Sequence, residues 1–203
     1  MKKPSVRRRT QEERRRSTTR RILQAAFTVM RKRGYAGFRM ADVAAAARVS
    51  RGAVLHHFPN KDALILATCE DMYRRAHERS EQRAKKLPPA ADPLQAIISD
   101  GAEFFFGDYF WTMFEVSMAA GKDKKFKRAA EAVARRFRLP VEAAWFDVLS
   151  QAGLPEGAAE DVLWLTLAIV RGLAMRTRLQ DDPERFAHLF DLWRHIFWTY
   201  WST

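Results

Sequence analysis

The chain has 203 residues, of which 47% are apolar, so it is long enough to bury a core and too apolar for a disordered protein. Its single cysteine, Cys69, excludes an intrachain disulfide and a cysteine-rich zinc site. The longest apolar run, 162–170, is less than half of the ~20 residues that cross a bilayer, and the basic N-terminus lacks the apolar segment of a signal peptide. We therefore expect a soluble, cytoplasmic protein with no cofactor, no bound metal and no membrane partner.

The net charge of +12 is concentrated in the first third of the chain. Residues 1–21 carry a charge of +8, residues 22–62 carry +5, and residues 63–203 carry −1. Such a local excess of Lys and Arg favours binding to a phosphate backbone, because each phosphate that they neutralise releases a counterion. An anionic membrane surface would attract the same residues, so the charge leaves both partners open.

The first 16 residues are rich in arginine and show no periodic pattern, which predicts a flexible basic arm. The arm is either a solvated tail or an extension that adds phosphate contacts or enters a minor groove. A first helix is predicted over Thr18–Arg33, where apolar residues recur at helical spacing. Gly34 then supplies a C-terminal stop.

The next segment has the pattern of a helix-turn-helix. A second helix is predicted over Met40–Ala47 and a third over Arg51–Phe58, with a tight turn at Arg48-Val49 and Ser50 as the N-cap. Proline ends the third helix. In this motif the second of the two helices lies in the major groove of DNA, with its N-terminal residues at the base edges.

Several residues of the third helix suit the major groove. Arg51 can donate two hydrogen bonds to a guanine edge, or bind a phosphate. Gly52 and Ala53 have almost no side chain, so the helix backbone can approach DNA closely. His56 and His57 point about 100° apart on a helix, so at most one faces the groove while the other turns to the core side or a phosphate. Because adjacent helical residues diverge and no third ligand is near, a metal site is not expected there.

The rest of the chain is also predicted to be helical, without strand patterns or internal repeats. A long fourth helix begins after Asp62, ends near Lys86 and connects the basic region to the remainder. Further helices are predicted near 93–106, 108–120, 124–137, 140–153, 158–180 and 183–201, separated mostly at glycine and proline. The predicted fold class is all-α.

Five short motifs are spread over Thr18–Leu64: RILQAA at 21–26, RGY at 33–35, DVA at 42–44, VSRG at 49–52 and HHFPNK at 56–61. Each is weak alone, but together they resemble the TetR-type (TetR/AcrR-like) transcriptional regulators. The resemblance implies a three-helix DNA-binding head, residues 17–62, that follows the arm of residues 1–16. It also implies a larger helical domain for ligand binding and dimerisation, residues 63–203.

The resemblance further implies a homodimer that binds a near-palindromic, double-stranded DNA operator. A small apolar or aromatic effector would bind the larger domain and release the operator, which describes a ligand-responsive repressor. Lys61, at a helix start, suits a phosphate. Carried to this sequence, the DNA-contact positions are Arg39, Ser50, Arg51, Gly52, Ala53, Leu55, His56, His57 and Lys61.

Three positions depart from the family pattern. Arg48 stands in the turn where glycine is common, which predicts mild strain in a left-handed backbone. Arg39 replaces a threonine, so a hydroxyl cap is missing at the second helix. Leu55 replaces a tyrosine that would donate to a phosphate. We expect these changes to alter operator preference and affinity without abolishing DNA binding.

Two residue sets are expected in the larger domain, with ordinary core packing as the alternative for both. The dimer interface is expected on helices 140–153 and 158–180, at Trp145, Leu149, Leu165, Ile169, Gly172 and Leu173. The effector pocket is expected around the aromatic and methionine-rich segment 104–118. Its candidate residues are Phe106, Phe110, Trp111, Phe114, Glu115, Met118 and Arg171, of which the two charged ones can anchor a polar group.

Two other classes of function find less support in the sequence. The chain has no His-Glu-x-x-His, glycine-rich phosphate loop or Gly-x-Ser-x-Gly, so we do not expect an enzyme. Cys69 lies among apolar residues and is expected to be a packed thiol. The remaining alternative is a basic helical protein that binds membranes or nucleic acid non-specifically, but it does not explain the helix-turn-helix spacing.

Overall fold

The computed structural model describes residues 10–119, 123–154 and 156–201, and in these ranges all regular secondary structure is helical. The helices are α1 (Gln11–Gly37), α2 (Met40–Ala47), α3 (Arg51–His57), α4 (Lys61–Lys85), α5 (Pro93–Phe105), α6 (Asp108–Ala119), α7 (Lys124–Gln151), α8 (Glu156–Arg176) and α9 (Pro183–Trp201). Within these ranges no helix has the length and apolarity needed to cross a membrane. The predicted all-α fold class is confirmed.

The chain divides into two compact units. The first is formed by Met1–Asp71 with Glu115–Ala130, and the second by Met72–Phe114 with Glu131–Thr203. Three helices, α4, α6 and α7, contribute residues to both units. The first unit thus contains a segment, 115–130, that is distant in sequence from the helix-turn-helix.

The core of the first unit is closed by apolar stripes of its helices. Ile22 and Met30 of α1, Val43 of α2, Val54 of α3 and Leu64 of α4 are each at most 1% exposed. Burying a side chain of this size stabilises a fold by roughly 1.5–3 kcal/mol. Because α2 and α3 have only 8 and 7 residues, this packing, rather than helix propensity, holds them in place.

Of the predicted flexible arm, residues 1–16, the structure corrects residues 11–16, which are helical. Helix α1 begins at Gln11, and the residues before Thr10 lie outside the described part of the chain. The physical reason is a capping box at the helix start. Thr10 Oγ1 accepts a hydrogen bond of 3.2 Å from the N–H of Glu13, while Glu13 Oε2 accepts one of 2.8 Å from the N–H of Thr10.

The structure also corrects the predicted break at Leu139-Pro140, because α7 continues through Pro140. Proline has no N–H to donate to the carbonyl oxygen of Arg136 one turn earlier. Both residues are exposed, and the helix continues through Pro140 without this one backbone bond.

Helices α5, α7, α8 and α9 build the core of the second unit. Its most buried residues include Leu94, Ile97, Phe105, Trp145, Leu149, Leu163, Val170 and Phe197. Inside this core the indole N–H of Trp145 donates to Ser80 Oγ at 3.0 Å and to Asp100 Oδ2 at 3.1 Å. Arg83 Nε lies 3.0 Å from Asp100 Oδ1 and balances the charge of that buried carboxylate.

Candidate nucleic-acid interface and binding pocket

The turn between α2 and α3 depends on a left-handed residue and on an arginine from α1. Arg48 adopts φ 53° and ψ 49°, and its N–H donates to the carbonyl oxygen of Ala45 at 3.1 Å. The predicted left-handed conformation is confirmed. Arg21 Nη2 donates to the carbonyl oxygens of Ala47 at 2.7 Å and Arg48 at 3.1 Å. These bonds satisfy carbonyls that are left unpaired at the end of α2. Sequence reasoning missed Arg21, because nothing local marks it as a capping residue.

Helix α3 buries one side and exposes the other. Val54 and the following Phe58 face the core. Ser50 Oγ accepts a hydrogen bond of 3.1 Å from the N–H of Ala53, so these two residues form the helix start. The exposed face consists of Arg51, Gly52, Leu55 and His56. Arg51 and Leu55 lie one helical turn apart, as do Gly52 and His56. The α3 surface is therefore a single patch with one guanidinium, one imidazole, a small residue and an apolar residue.

His57 turns away from this patch towards α1. Its Nδ1 lies 3.1 Å from Thr19 Oγ1. The Thr19 hydroxyl donates to the carbonyl oxygen of Arg15 at 3.0 Å, so its oxygen is left to accept and the proton sits on His57 Nδ1. Burial lowers the pKa of His57, and the neighbouring His56 and Arg15 lower it further. The neutral ring thus joins the end of α3 to α1.

The two flanking cations differ in their availability for DNA. Lys61 Nζ donates to the carbonyl oxygen of Tyr35 at 2.7 Å and lies 4.3 Å from the centroid of the Tyr35 ring. The Lys61 ammonium is thus already bonded within the first unit. Arg39 is the N-cap residue of α2 and is exposed, and no side chain caps that helix, as the sequence predicts.

The segment 115–130 packs against the end of α1. Gly34 breaks that helix with φ 64°, as predicted, and the Glu115 carboxylate occupies the space that a Cβ on this glycine would need. The Phe126 ring centroid lies 5.7 Å from that of Tyr35. Because the carbonyl oxygen of Tyr35 also accepts a hydrogen bond from Lys61, these contacts link segment 115–130 to the start of α4.

A cavity of about 440 Å³ lies within the second unit. Its lining residues are Tyr73, Phe104, Phe105, Phe110, Phe114, Arg138, Glu142, Arg171 and Met175. Two larger cavities, of about 530 and 490 Å³, contain no residue of the aromatic segment 104–118. The aromatic cavity is hereafter called the Phe pocket, and its volume lies within the range of small-molecule sites.

The structure brings together only some of the predicted pocket residues. Phe110, Phe114 and Arg171 line the Phe pocket. The remaining candidates do not line it. Trp111 packs against the lining residues Phe110 and Phe114 and also contacts Arg178. Phe106 packs against Phe186, Glu115 contacts Gly34, and Met118 is 68% exposed. These four residues do not line the Phe pocket, because they were chosen by nearness in sequence, whereas successive residues of a helix face different directions.

Two guanidinium groups stack on the rings of the Phe pocket. The Arg138 Cζ atom lies 5.0 Å from the Phe104 centroid and 5.4 Å from that of Phe105, and Arg171 Cζ lies 5.1 Å from the Phe105 centroid. Burial lowers the pKa of Arg138, the carboxylates of Glu142 and Asp100 act in the opposite direction, and the positive charge of Arg171 lowers it further. Sequence reasoning missed Arg138, because only tertiary packing brings α7 to residues 104–105.

The predicted dimer residues also separate into two groups. Trp145 and Leu149 are 2% and 0% exposed, so they belong to the core of the second unit and their assignment to an interface is wrong. Leu165 is 52% exposed, Gly172 is exposed, and Ile169 and Leu173 are half-buried. The large exposed apolar residues of α8 and α9 are Trp164, Leu165, Met175, Leu192, Ile196 and Tyr200. Of these, Leu192, Ile196 and Tyr200 recur every four residues along one face of α9.

Little in the described residues indicates covalent or metal chemistry. Burial raises the pKa of the Cys69 thiol to about 12, so this side chain is a packed thiol, as predicted. No group of three or more His, Cys, Asp or Glu side chains in the described ranges is placed to hold a metal ion.

Comparison with known proteins agrees with this geometry. The sequence model of the family described as bacterial regulatory proteins, tetR family, matches residues 22–68. The chain is 46% identical to the HTH-type transcriptional regulator CymR of Pseudomonas putida over 182 residues, which cover 90% of each chain.

The fold is similar to solved structures as well. A TetR-family transcriptional regulator from Mesorhizobium loti superposes with a TM-score of 0.70 at 19% identity, over 92% of this chain and 97% of that chain. A transcriptional regulator from Saccharomonospora viridis in complex with choline superposes with a TM-score of 0.68 at 17% identity, over 89% and 95% of the two chains. At identities of 19% and 17%, these superpositions show similarity of fold alone.

The resemblance found in the sequence is confirmed, because the family match covers the helix-turn-helix and the likeness to CymR extends along nine tenths of the chain. This chain belongs to the TetR family of bacterial regulatory proteins, and it is a transcriptional regulator.

Proposed function

We propose that this regulator is a repressor that binds a palindromic operator as a homodimer and leaves it when a small apolar or aromatic effector occupies the Phe pocket. The observation that carries the proposal is the exposed face of α3, where Arg51, Gly52, Leu55 and His56 form one patch on a helix fixed at both ends.

The α3 patch suits the major groove of double-stranded DNA. Arg51 forms no ion pair within the described ranges, so its guanidinium can donate to a guanine edge. Gly52 allows the backbone to come close, and Leu55 can contact a thymine methyl group. Ser50, Ala53, His57 and Lys61 act by positioning α3, since their polar atoms are already bonded within the first unit. Arg39 and the basic start of α1 supply phosphate contacts.

A homodimer would cover the apolar faces of α8 and α9. Leu192, Ile196 and Tyr200 are 42%, 51% and 72% exposed, and Leu165 adds to this surface from α8. An exposed apolar face of this kind marks an interaction surface in a protein that does not enter a membrane. A homodimer would carry two copies of α3, and a palindromic operator offers two half-sites about one DNA turn, roughly 34 Å, apart.

Effector binding would reach the head through α6. Phe114 lines the Phe pocket, and the next residue, Glu115, lies against Gly34. A ligand that displaces this part of α6 would disturb the contact between Glu115 and Gly34, the residue before Tyr35, to which Lys61 is bonded. The solved regulator from Saccharomonospora viridis holds choline, which supports a small-molecule site in a protein of this fold.

Selection from random duplex DNA, followed by sequencing, tests the proposal. We expect a two-fold symmetric consensus whose affinity falls steeply with salt. Arg51→Ala should weaken binding by about 10- to 100-fold and relax the preference at one base position, because a bidentate contact contributes roughly 1–3 kcal/mol of discrimination. Arg135→Ala, an exposed arginine of α7, is the control and should change neither property. No consensus, or equal effects of the two substitutions, would contradict the proposal.

A further inference from the structure

A basic segment at the start of α7 belongs to the first unit, together with the helix-turn-helix. Residues 123–128 carry a net charge of +3, and Phe126 among them is only 3% exposed. Three cations beside this ring are exposed and form no ion pair within the described ranges: Lys124, Lys125 and Arg128. These three residues are hereafter called the α7 patch.

The position of the α7 patch in its helix is unfavourable for cations. The first turn of a helix carries positive partial charge, which favours carboxylates over Lys and Arg, but the first turn of α7 contains no acidic residue. The preceding carboxylate, Asp123, is used for capping, since its Oδ1 accepts hydrogen bonds from the N–H groups of Lys125 at 2.9 Å and Phe126 at 3.0 Å. Cations that oppose the local preference indicate an anionic partner from outside the fold.

Tyr35 fixes the place of the α7 patch in the first unit. Its ring centroid lies 5.7 Å from that of Phe126, which anchors the segment. The carbonyl oxygen of Tyr35 accepts a hydrogen bond of 3.4 Å from the N–H of Phe38, and Arg39, the exposed N-cap residue of α2, follows directly. The starts of α2 and α7 therefore adjoin the same tyrosine.

The start of α4 adjoins this tyrosine as well. Lys61 Nζ donates to the carbonyl oxygen of Tyr35 at 2.7 Å, so the ammonium is held within the first unit. The pKa of Tyr35 is raised chiefly by burial and then by the carboxylates of Asp62 and Asp123, which places both helix starts near its ring. The α7 patch thus brings unpaired cations to the place where Lys61 is already occupied.

We propose that the α7 patch binds phosphates of the operator, so that the DNA-contact surface of this protein includes a segment outside the helix-turn-helix. This inference rests on the proposed function and adds a second contact, made by residues far from α3 in sequence. Lys and Arg that neutralise phosphates add affinity without reading bases, so the patch contributes to affinity rather than to sequence preference.

The test measures binding of the full-length protein to its selected operator duplex by fluorescence anisotropy at several KCl concentrations. The patch variant combines Lys124→Gln, Lys125→Gln and Arg128→Gln, and it removes at least one phosphate contact per head. We expect its affinity at about 0.1 M KCl to fall at least tenfold, and the slope of log K against log salt concentration to become less steep by about two, since each of two lost contacts contributes roughly 0.9. Unchanged affinity and slope would overturn the inference.

A matched control removes the same kinds of charge from the second unit. Lys85→Gln, Lys86→Gln and Arg135→Gln also replace two lysines and one arginine, all of them exposed. This control variant should keep the affinity and the slope of the unchanged protein, because salt screens charges that do not contact the DNA. Equal losses in the two variants would assign the effect to net charge and overturn the inference.

Two further measurements separate phosphate contacts from other roles. Lys124→Arg with Lys125→Arg keeps the charge and should keep the slope, and selection with the patch variant should return the same consensus sequence. In urea denaturation the patch variant should be at least as stable as the unchanged protein, since the substitutions remove cations from the start of a helix. A changed consensus, or a loss of stability that accompanies the loss of affinity, would overturn the inference.

The unchanged protein separates this inference from the proposed function. If it binds a symmetric operator and the patch variant binds equally well at every salt concentration, the α7 patch makes no DNA contact while the proposed function stands. If the unchanged protein binds no duplex, the proposed function fails, and this inference fails with it.

Discussion

At Arg48 the helix-turn-helix places a side chain in a backbone conformation that glycine adopts more readily. Its φ of 53° is the one positive value among the non-glycine residues of the described ranges. A left-handed residue with a Cβ costs roughly 1–2 kcal/mol, partly offset by its smaller loss of backbone entropy on folding.

We therefore expect Arg48→Gly to raise the free energy of unfolding by about 1 kcal/mol, measured by urea denaturation. Arg39→Gly is the matched control: Arg39 is also an exposed arginine next to α2, but its φ is −128°, so glycine there should give no gain or a small loss. A gain in both variants would mean that loss of positive charge, rather than relief of strain, stabilises the head.

Gly34 presents the opposite case, because here the chain needs glycine. Its φ is 64°, and the Glu115 carboxylate fills the place of a Cβ. Gly34→Ala should lower the free energy of unfolding by about 1–3 kcal/mol through strain and crowding. Adding Glu115→Ala should restore the part due to crowding.

The control for Gly34→Ala is Gly157→Ala in α8, where nothing lies within 4 Å of an added Cβ. This change should leave stability unchanged or raise it slightly, since alanine is the better helix former. Equal losses at the two glycines, or no recovery in the double variant, would show that Glu115 does not crowd Gly34.

Site residues differed in how far the sequence could reveal them. The capping role of Ser50 and the left-handed Arg48 follow from residue type and local spacing, so they were predictable. Arg138 joins the Phe pocket, and Glu115 leaves it, through contacts between helices far apart in sequence. Residue type and periodicity carry no information on such partners, so both were missed.

At the scale of helices, the bond between His57 and Thr19 couples α3 to α1 and should depend on pH. The pKa of His57 in the folded protein lies below its ordinary value of 6.5, chiefly because of burial. Between these two pKa values the unfolded chain binds more protons than the folded one. The contribution of His57 to the free energy of unfolding is therefore complete above pH 6.5. It decreases as the pH drops through this value and levels off below the folded pKa.

We expect the urea midpoint to fall between pH 7.5 and pH 5.5, and this fall to be smaller in His57→Gln. His56→Gln should retain most of the dependence, because burial, more than the charge of His56, lowers the pKa of His57. If the two variants show the same dependence on pH as the unchanged protein, the coupling between α3 and α1 does not involve the proton on His57.

Helix boundaries show where local signals were sufficient. The bounds of α2 and α3 were predicted within one residue, because a cap, a turn residue and a proline mark them. The start of α1 was missed although Thr10 and Glu13 form a capping box, since a run of arginines was taken as irregular. Pro140 was taken as a break, but α7 continues through it at an exposed position.

At the scale of the whole molecule, the apolar face of α9 should control assembly. Ile196→Glu places a charge in the middle of this face and should turn the dimer into a monomer at micromolar concentration, as measured by size-exclusion chromatography with light scattering. Ala187→Glu, an exposed residue on the opposite side of α9, should leave the dimer intact.

Operator affinity should fall in Ile196→Glu together with the dimer, because a single head reaches only one half-site. A monomeric parent protein, or dimers in both variants, would exclude this face as the contact between copies.

The first unit is built from two separate segments of the chain, and this affects how the regulator can be re-engineered. A chimaera that transplants residues 1–71 onto another body would leave out Phe126 and Glu115, which cover Tyr35 and Gly34. Such a graft would need a substitute for both partners, or a donor body whose own residues cover the same glycine and tyrosine. The helix-turn-helix can thus be transferred with its native contacts only together with residues from segment 115–130.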